Sequence, residues 1–181
     1  CCKKAHLSNV YLAEWIRLRS LTDDLRQMYT PYFIKHKIEF KTQGIEDVLV
    51  NTDKMTFFHI CFNLIYYMGT YVDVTPNIRS FISLEAKVYN DEFIVIYIED
   101  NGKYPPAVRQ KTSFDKPSYS QKVLDSIAGV GLAIVKEWVI ALKGSIQMVD
   151  KLNQGMKFCL IIPGKQNSWV NEKVSSVVRS V

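Results

Sequence analysis

The chain has 181 residues, 48% of them hydrophobic, and a formal charge of +5. That is the size of one domain with a substantial core, and two domains would fit tightly. The positive charge is modest and spread along the chain, which argues against a nucleic-acid surface, and no apolar run is long enough to cross a bilayer.

No signal-peptide pattern is seen. The four cysteines are Cys1, Cys2, Cys61 and Cys159, and the last two lie in apolar runs where a thiol behaves as a small hydrophobe. No metal spacing appears among them. An adjacent Cys1-Cys2 pair suits neither a disulfide framework nor a zinc knuckle, so a reducing, cytoplasmic setting is expected. Because the sequence begins with Cys1 and not Met, it reads as a piece of a longer protein, with any membrane anchor placed upstream.

In chain order, Leu12, Trp15, Ile16, Leu18, Leu21, Leu25, Met28, Tyr29, Tyr32 and Phe33 recur at spacings of three and four. This predicts a helix from about Asn9 to Lys37, kinked or split at Pro31. Neither His6 nor His36 has a partner at metal or catalytic spacing, so both read as surface residues. A strand over Ile38 to Thr42 follows, and after a turn at Gly44 a second, Val48 to Val50, is expected to pair back on it.

Asn51-Thr52-Asp53 reads as the cap of a second helix, Lys54 to about Tyr71. Met55, Phe58, Phe62, Ile65 and Val72 mark one apolar face, and Phe57, Ile60 and Leu64 another, so burial almost all round is expected. The exception is a polar stripe of Thr56, His59, Asn63 and Thr70, with Tyr66 and Tyr67 beside it, which reads as a cavity wall.

Phe81 to Tyr89 and Phe93 to Glu99 then form an antiparallel hairpin about Asn90-Asp91. The second of these strands is nearly continuously apolar, hence central, and it delivers Asp100. Residues 102–127 lack periodicity and contain three prolines, the pattern of a long loop or lid. Five bases there, Lys103, Arg109, Lys111, Lys116 and Lys122, outnumber the acids Asp115 and Asp125. A third helix is expected from about Gly131 to Leu142, stopped by Gly144. Ser145 to Val149 and Met156 to Ile162 complete the chain as a hairpin about Asn153-Gln154-Gly155. The ordered domain is taken as 1–163, with a mobile tail over 164–181.

Two stretches carry chemistry. Asp100-Asn101-Gly102 supplies a carboxylate where a buried strand ends, and the segment from Ala128 through Gly129-Val130-Gly131-Leu132 supplies backbone N–H groups at a helix start. A carboxylate acceptor at one end and helix-terminal amides at the other suit a purine and its phosphates.

These two stretches, with Glu99-Asp100-Asn101-Gly102, Lys143-Gly144-Ser145-Ile146 and Gln154-Gly155-Met156-Lys157-Phe158, resemble the catalytic, ATP-binding domain of sensor histidine kinases. The resemblance runs from about Leu7 to Pro163. It lies in the superfamily shared with gyrase, the chaperone Hsp90 and MutL. It implies an α+β fold, a two-layer sandwich with a mixed, mostly antiparallel sheet covered on one face by about three helices. It also implies a role in two-component signalling.

By resemblance, Asp100 would accept from the adenine amino group and Gly102 would let the backbone approach the base. Tyr71 would lie against the purine, while Gly129, Gly131 and the following Leu132 would wrap the phosphates. Phe114-Asp115 looks like a remnant of the lid's phenylalanine motif.

The departures from the pattern fall at the phosphate end. The asparagine that binds magnesium, expected one turn after Asn63, is replaced by Tyr67, and a phenol is a poor magnesium ligand. A base expected beside the phosphates falls at Thr70. Two lid glycines fall at Tyr104 and Ile127, which stiffens both ends of the lid. No phosphoacceptor histidine is visible.

The leading expectation is a degenerate kinase-like domain, with ATP or ADP as its candidate ligands, magnesium doubtful, no catalytic residue and no metal site. It would signal through protein contacts, with dimerisation and phosphotransfer helices or a response regulator as partners and no nucleic-acid or membrane contact. Two alternatives stay open. One is a working kinase in which Asn63, Lys103 or a lid base takes over the metal or phosphate contact. The other is a serine kinase of anti-sigma type.

Overall fold

A computed structural model describes residues 12–72, 79–104, 127–150 and 155–167. The expected lid from residue 105 to 126, with Phe114-Asp115, the loop 73–78, the Asn153-Gln154 part of the last hairpin turn and the tail beyond 167 lie outside the described residues, as do Cys1, Cys2 and His6.

The elements run β1 (Glu14–Arg17), α1 (Leu18–His36), β2 (Ile38–Gln43), β3 (Val48–Thr52), α2 (Lys54–Gly69), β4 (Ser80–Val88) and β5 (Phe93–Asp100). They finish with α3 (Ile127–Ala141), β6 (Ser145–Asp150) and β7 (Met156–Gln166). The seven strands form one sheet in the order β1-β3-β7-β5-β4-β2, with β6 also paired to β7. Every pairing is antiparallel except β2 with β4. This is the expected α+β sandwich, with the helices on one face of a mixed sheet.

The core follows from alternation. Ile94, Ile96 and Ile98 of β5 point inward with Phe158, Leu160 and Ile162 of β7 and with Ile82 and Leu84 of β4, all fully buried. Against them pack Leu18, Leu21 and Leu25 of α1, Phe57, Ile60 and Leu64 of α2, and Val135 and Val139 of α3. Side chains on the opposite sheet face are managed differently. Lys41 lies over Phe81 at 4.5 Å, Lys157 over Tyr97 at 4.1 Å and Lys165 over Trp15 at 4.6 Å. Each ammonium group lies over the face of a ring, a cation–π contact on the outer side of the sheet.

Several sequence expectations fail here for identifiable reasons. Residues 14–17 are a strand and not the start of the first helix. Only Ile16 of the four is buried, and backbone pairing to β3, with Ile16 opposite Val50, satisfies the segment. Leu12, Trp15 and Met28, placed on the helical seam by spacing, are exposed. Pro31 does not divide α1. It costs one intrahelical bond, and the surrounding turns are tied to α2 instead: the Tyr29 hydroxyl donates to the Phe62 carbonyl and the Tyr32 hydroxyl to the Gly69 carbonyl, both at 2.8 Å.

Strand β3 does not pair with β2. Ile45 is buried in the intervening turn, which carries the chain away so that β3 joins β1 and β7 while β2 runs parallel to β4. Strand β7 continues through Pro163 to Gln166. Pro163 stands between Ile161, paired to β6, and Gly164, paired to β3, the point where the partner along that edge changes.

Helix α2 begins where expected, with the Asp53 carboxylate accepting from the Thr56 N–H at 2.8 Å. That bond holds the Asp53 carboxyl below its ordinary value. The helix is not apolar all round. Met55 is 61% exposed, and Phe58 and Phe62 are half-buried. Helix α3 starts at Ile127, one turn before the expected Gly131, so Gly129 and Gly131 lie within its first turns. At its end Lys143 takes the left-handed conformation at φ 60°, and the Gly144 N–H donates to the Val139 carbonyl at 2.9 Å.

Candidate functional site

Strand β5 ends at Asp100, which is 0% exposed. A buried carboxylate needs donors, and the turn that follows supplies them. The Gly102 N–H donates to one carboxylate oxygen, and the Tyr104 hydroxyl donates to the other at 2.5 Å. Bonds of this kind to an acid oxygen are the short, charge-assisted class.

The turn itself is latched on two sides. Asn101 accepts from the Phe81 N–H at 2.9 Å and donates to the Arg79 carbonyl at 3.0 Å, which fixes it to β4. The Lys103 N–H donates to the Tyr71 carbonyl at 3.0 Å, which fixes it to the end of α2. A Cβ on Gly102 would stand 2.5 Å from the Tyr71 carbonyl oxygen and 2.9 Å from the Asp100 carboxylate. Glycine is therefore required by the protein's own close approach at this point.

Tyr104 completes a cluster of three phenols. Its ring centroid lies 4.7 Å from that of Tyr71 and 6.0 Å from that of Tyr67, and Tyr67 stands 5.3 Å from Tyr71 and 6.1 Å from Phe158. Tyr104 is 5% exposed and Tyr67 is 4% exposed. Burial, then the neighbouring Asp100 carboxylate and its hydrogen bond, then Tyr67 and Tyr71, hold the Tyr104 hydroxyl protonated far above the ordinary phenol range. Burial also raises Tyr71.

A pH prediction follows. Tyr29 and Tyr104 have folded-state pKa values raised above the ordinary 10.0. Their contribution to stability is therefore complete below that value and drains away as pH rises above it. Just above pH 10, the phenolate absorbance of the folded protein is expected to fall short of that of the denatured chain. Equal absorbance would show that neither phenol is protected.

The structure brings Asp100, Gly102, Tyr67 and Tyr71 together. It does not bring Asn63 to them by any hydrogen bond: the Asn63 amide donates to the His59 carbonyl one turn back at 2.7 Å. His59 and Thr70 are exposed, so the stripe expected to wall a cavity faces outward and Tyr67 meets the Asp100 cluster instead. Leu132 is buried on α3. The residue that sequence spacing undervalued is Tyr104. Its place in Asp100-Asn101-Gly102-Lys103-Tyr104 marked a stiffened lid, but its contact with Asp100 depends on a side-chain direction that spacing does not give.

Nor do these residues fit a magnesium ion. Tyr67 offers a neutral phenol packed among three other rings, whereas magnesium requires hard oxygens in octahedral array. Among the described residues no group of three or more His, Cys, Asp or Glu side chains is placed to share a metal.

Comparison with known proteins agrees with the fold. The chain superimposes on a mycobacterial sensor histidine kinase, MprB, with a TM-score of 0.66 and 17% identity, covering 86% of this chain and 99% of that one. The nucleotide-free catalytic domain of the histidine kinase ThkA gives a TM-score of 0.68 at 18% identity, covering 83% and 95%. Full-length ShkA in complex with AMPPNP gives 0.66 at 18% identity, covering 86% of this chain and 32% of that one. At such identities these likenesses speak to fold alone. No curated protein sequence matches the chain. The model of the histidine kinase-, DNA gyrase B- and HSP90-like ATPases matches residues 52–166, from the end of β3 through β7, and the chain belongs to that family.

Proposed function

We infer that this domain is a histidine-kinase-like unit of a two-component signalling protein that lacks magnesium-nucleotide chemistry and signals through protein contacts. The observation that carries the reading is Tyr67, buried against Tyr71, Tyr104 and Phe158 where the family pattern has its metal-binding asparagine. Phosphoryl transfer depends almost wholly on positioning and on cationic stabilisation of the transferring group. Loss of the metal and of the base that falls at Thr70 costs several kcal/mol in the transition state. Asn63 lies one turn before Tyr67 on the same helix, with its amide nitrogen donating to the His59 carbonyl.

In this reading ATP or ADP binds weakly and without magnesium at the start of α3; because that helix begins at Ile127, the amides left without an intrahelical acceptor are those from Ile127 to about Val130, Gly129 among them, and not those of Gly131 and Leu132. The working surface is the helical layer. Phe58, Phe62 and Tyr66 stack along α2 with centroids 6.5 and 6.3 Å apart, and Met55, Tyr66 and Ile134 are exposed. Such a face suits phosphotransfer helices or a response regulator. ThkA has been solved in complex with the response regulator protein TrrA, which supports that class of partner. Among the described residues no helix is long and apolar enough to cross a membrane, and a cytoplasmic signalling role is proposed.

A thermal-shift measurement tests this. Millimolar ATP is expected to raise the melting temperature only slightly, and equally with and without magnesium. A ligand present at about 100 times its Kd adds roughly 2.7 kcal/mol, or about 5–10 °C for a domain of this size, and a magnesium-dependent rise of that order would overturn the reading.

A further inference from the structure

Tyr104 differs from an ordinary core tyrosine in what it meets. Its hydroxyl donates to a carboxylate that is 0% exposed, at 2.5 Å, and its ring lies 4.7 Å from Tyr71 and 6.0 Å from Tyr67. An aromatic ring packed against two others, with one donor on its rim aimed at a buried acid, is the chemistry by which a protein reads a flat, donor-bearing ring such as an aminopurine. Here the ring belongs to the protein. The turn that delivers it is tied to β4 through Asn101 and to α2 through Lys103, so Tyr104 is held in place by latches on both neighbouring elements.

We propose that Tyr104 is an intramolecular ligand, an autoinhibitory side chain that occupies a pocket walled by Asp100, Tyr67 and Tyr71 and shaped for a planar aromatic molecule with a donor on its rim. The proposal rests on the reading of the Asp100 end as a ligand site and adds that the occupant is built in. Removing the side chain should uncover a cavity that takes up an external ring of the same kind, because a buried carboxylate left short of a donor favours whatever restores one.

The test is Tyr104→Ala with phenol, which replaces the lost ring and its hydroxyl, and with benzene, which replaces the ring alone. The variant is expected to melt about 6–20 °C below the parent. Saturating phenol is expected to restore about 5–10 °C of that loss, benzene distinctly less, and the parent should not respond to either. If Tyr104→Ala does not fold by itself, the same compounds are added during refolding, and recovery of the far-ultraviolet signal with phenol but not benzene is the expected result. No recovery with phenol, or equal recovery with benzene, would overturn the proposal. Nucleotide and magnesium are absent throughout, so failure here leaves the nucleotide reading standing, and magnesium-dependent binding by the parent would overturn that reading without altering the rescue.

Discussion

Gly155→Ala is expected to destabilise the domain by roughly 2–6 kcal/mol, the combined scale of a strained positive φ and of overpacking against fixed backbone. Gly155 sits at φ +101°, where an L side chain is strained in any surroundings. The surroundings are also closed. A Cβ there would overlap the Asp100 carbonyl oxygen and stand 2.6 Å from its carbon and 2.9 Å from the Asn101 Cα. Those are backbone atoms with neighbours of their own: Glu99 is paired with Lys157 across β5 and β7, and Asn101 is latched to β4. Relief must therefore come from displacing the end of β5, which carries Asp100. The same substitution should loosen the Tyr104–Asp100 contact. Chemical denaturation measures the first effect. A loss below about 1 kcal/mol would show that the turn before β7 relaxes freely.

The second large effect is expected from Tyr67→Asn, which restores the residue type of the family's metal site. Read as sequence alone, the change repairs a ligand. In the structure it removes a ring 4% exposed and packed against Tyr71, Tyr104 and Phe158. Truncating a buried aromatic costs about 3–5 kcal/mol, and the new amide adds a polar group that needs partners. The expected result is a marked loss of stability with no magnesium-dependent nucleotide binding, because Tyr104 still holds the Asp100 carboxylate. A stable variant that binds ATP only with magnesium would show that Tyr67 was the sole obstacle.

The fold was legible where one physical cause dominated. The β4–β5 hairpin follows from alternating apolar residues about Asn90-Asp91, and it placed Asp100 correctly at a buried strand end. The Asp53 cap and the start of α2 followed from a short polar cluster ahead of an apolar run. Strand β1 was hidden because Leu12, Trp15, Ile16 and Leu18 also satisfy a helical spacing, and only pairing with β3, a tertiary event, decides the matter. The partner of β2 was hidden likewise, since parallel pairing to β4 leaves no local turn signal.

At the candidate site, residue types were legible and their occupancy was not. Asp100, Gly102 and Tyr71 stand together, but Gly102 is required by the Tyr71 carbonyl and Tyr71 lies against Tyr104. Whether a tyrosine stacks on a ligand or replaces one is decided by side-chain direction. The sequence Asp-Asn-Gly-Lys-Tyr carries the hint in its spacing, because a turn that returns a Gly102 N–H to Asp100 also brings the residue two positions later within reach of the same carboxylate.

The central claim is that a member of this ATPase family has its acceptor taken by Tyr104 and its metal position taken by Tyr67. Calorimetric titration of the domain with ATP and with ADP, each with and without magnesium, tests it most directly. Weak binding that magnesium does not strengthen is the result expected from this arrangement of residues. Tight binding that appears only with magnesium would contradict it.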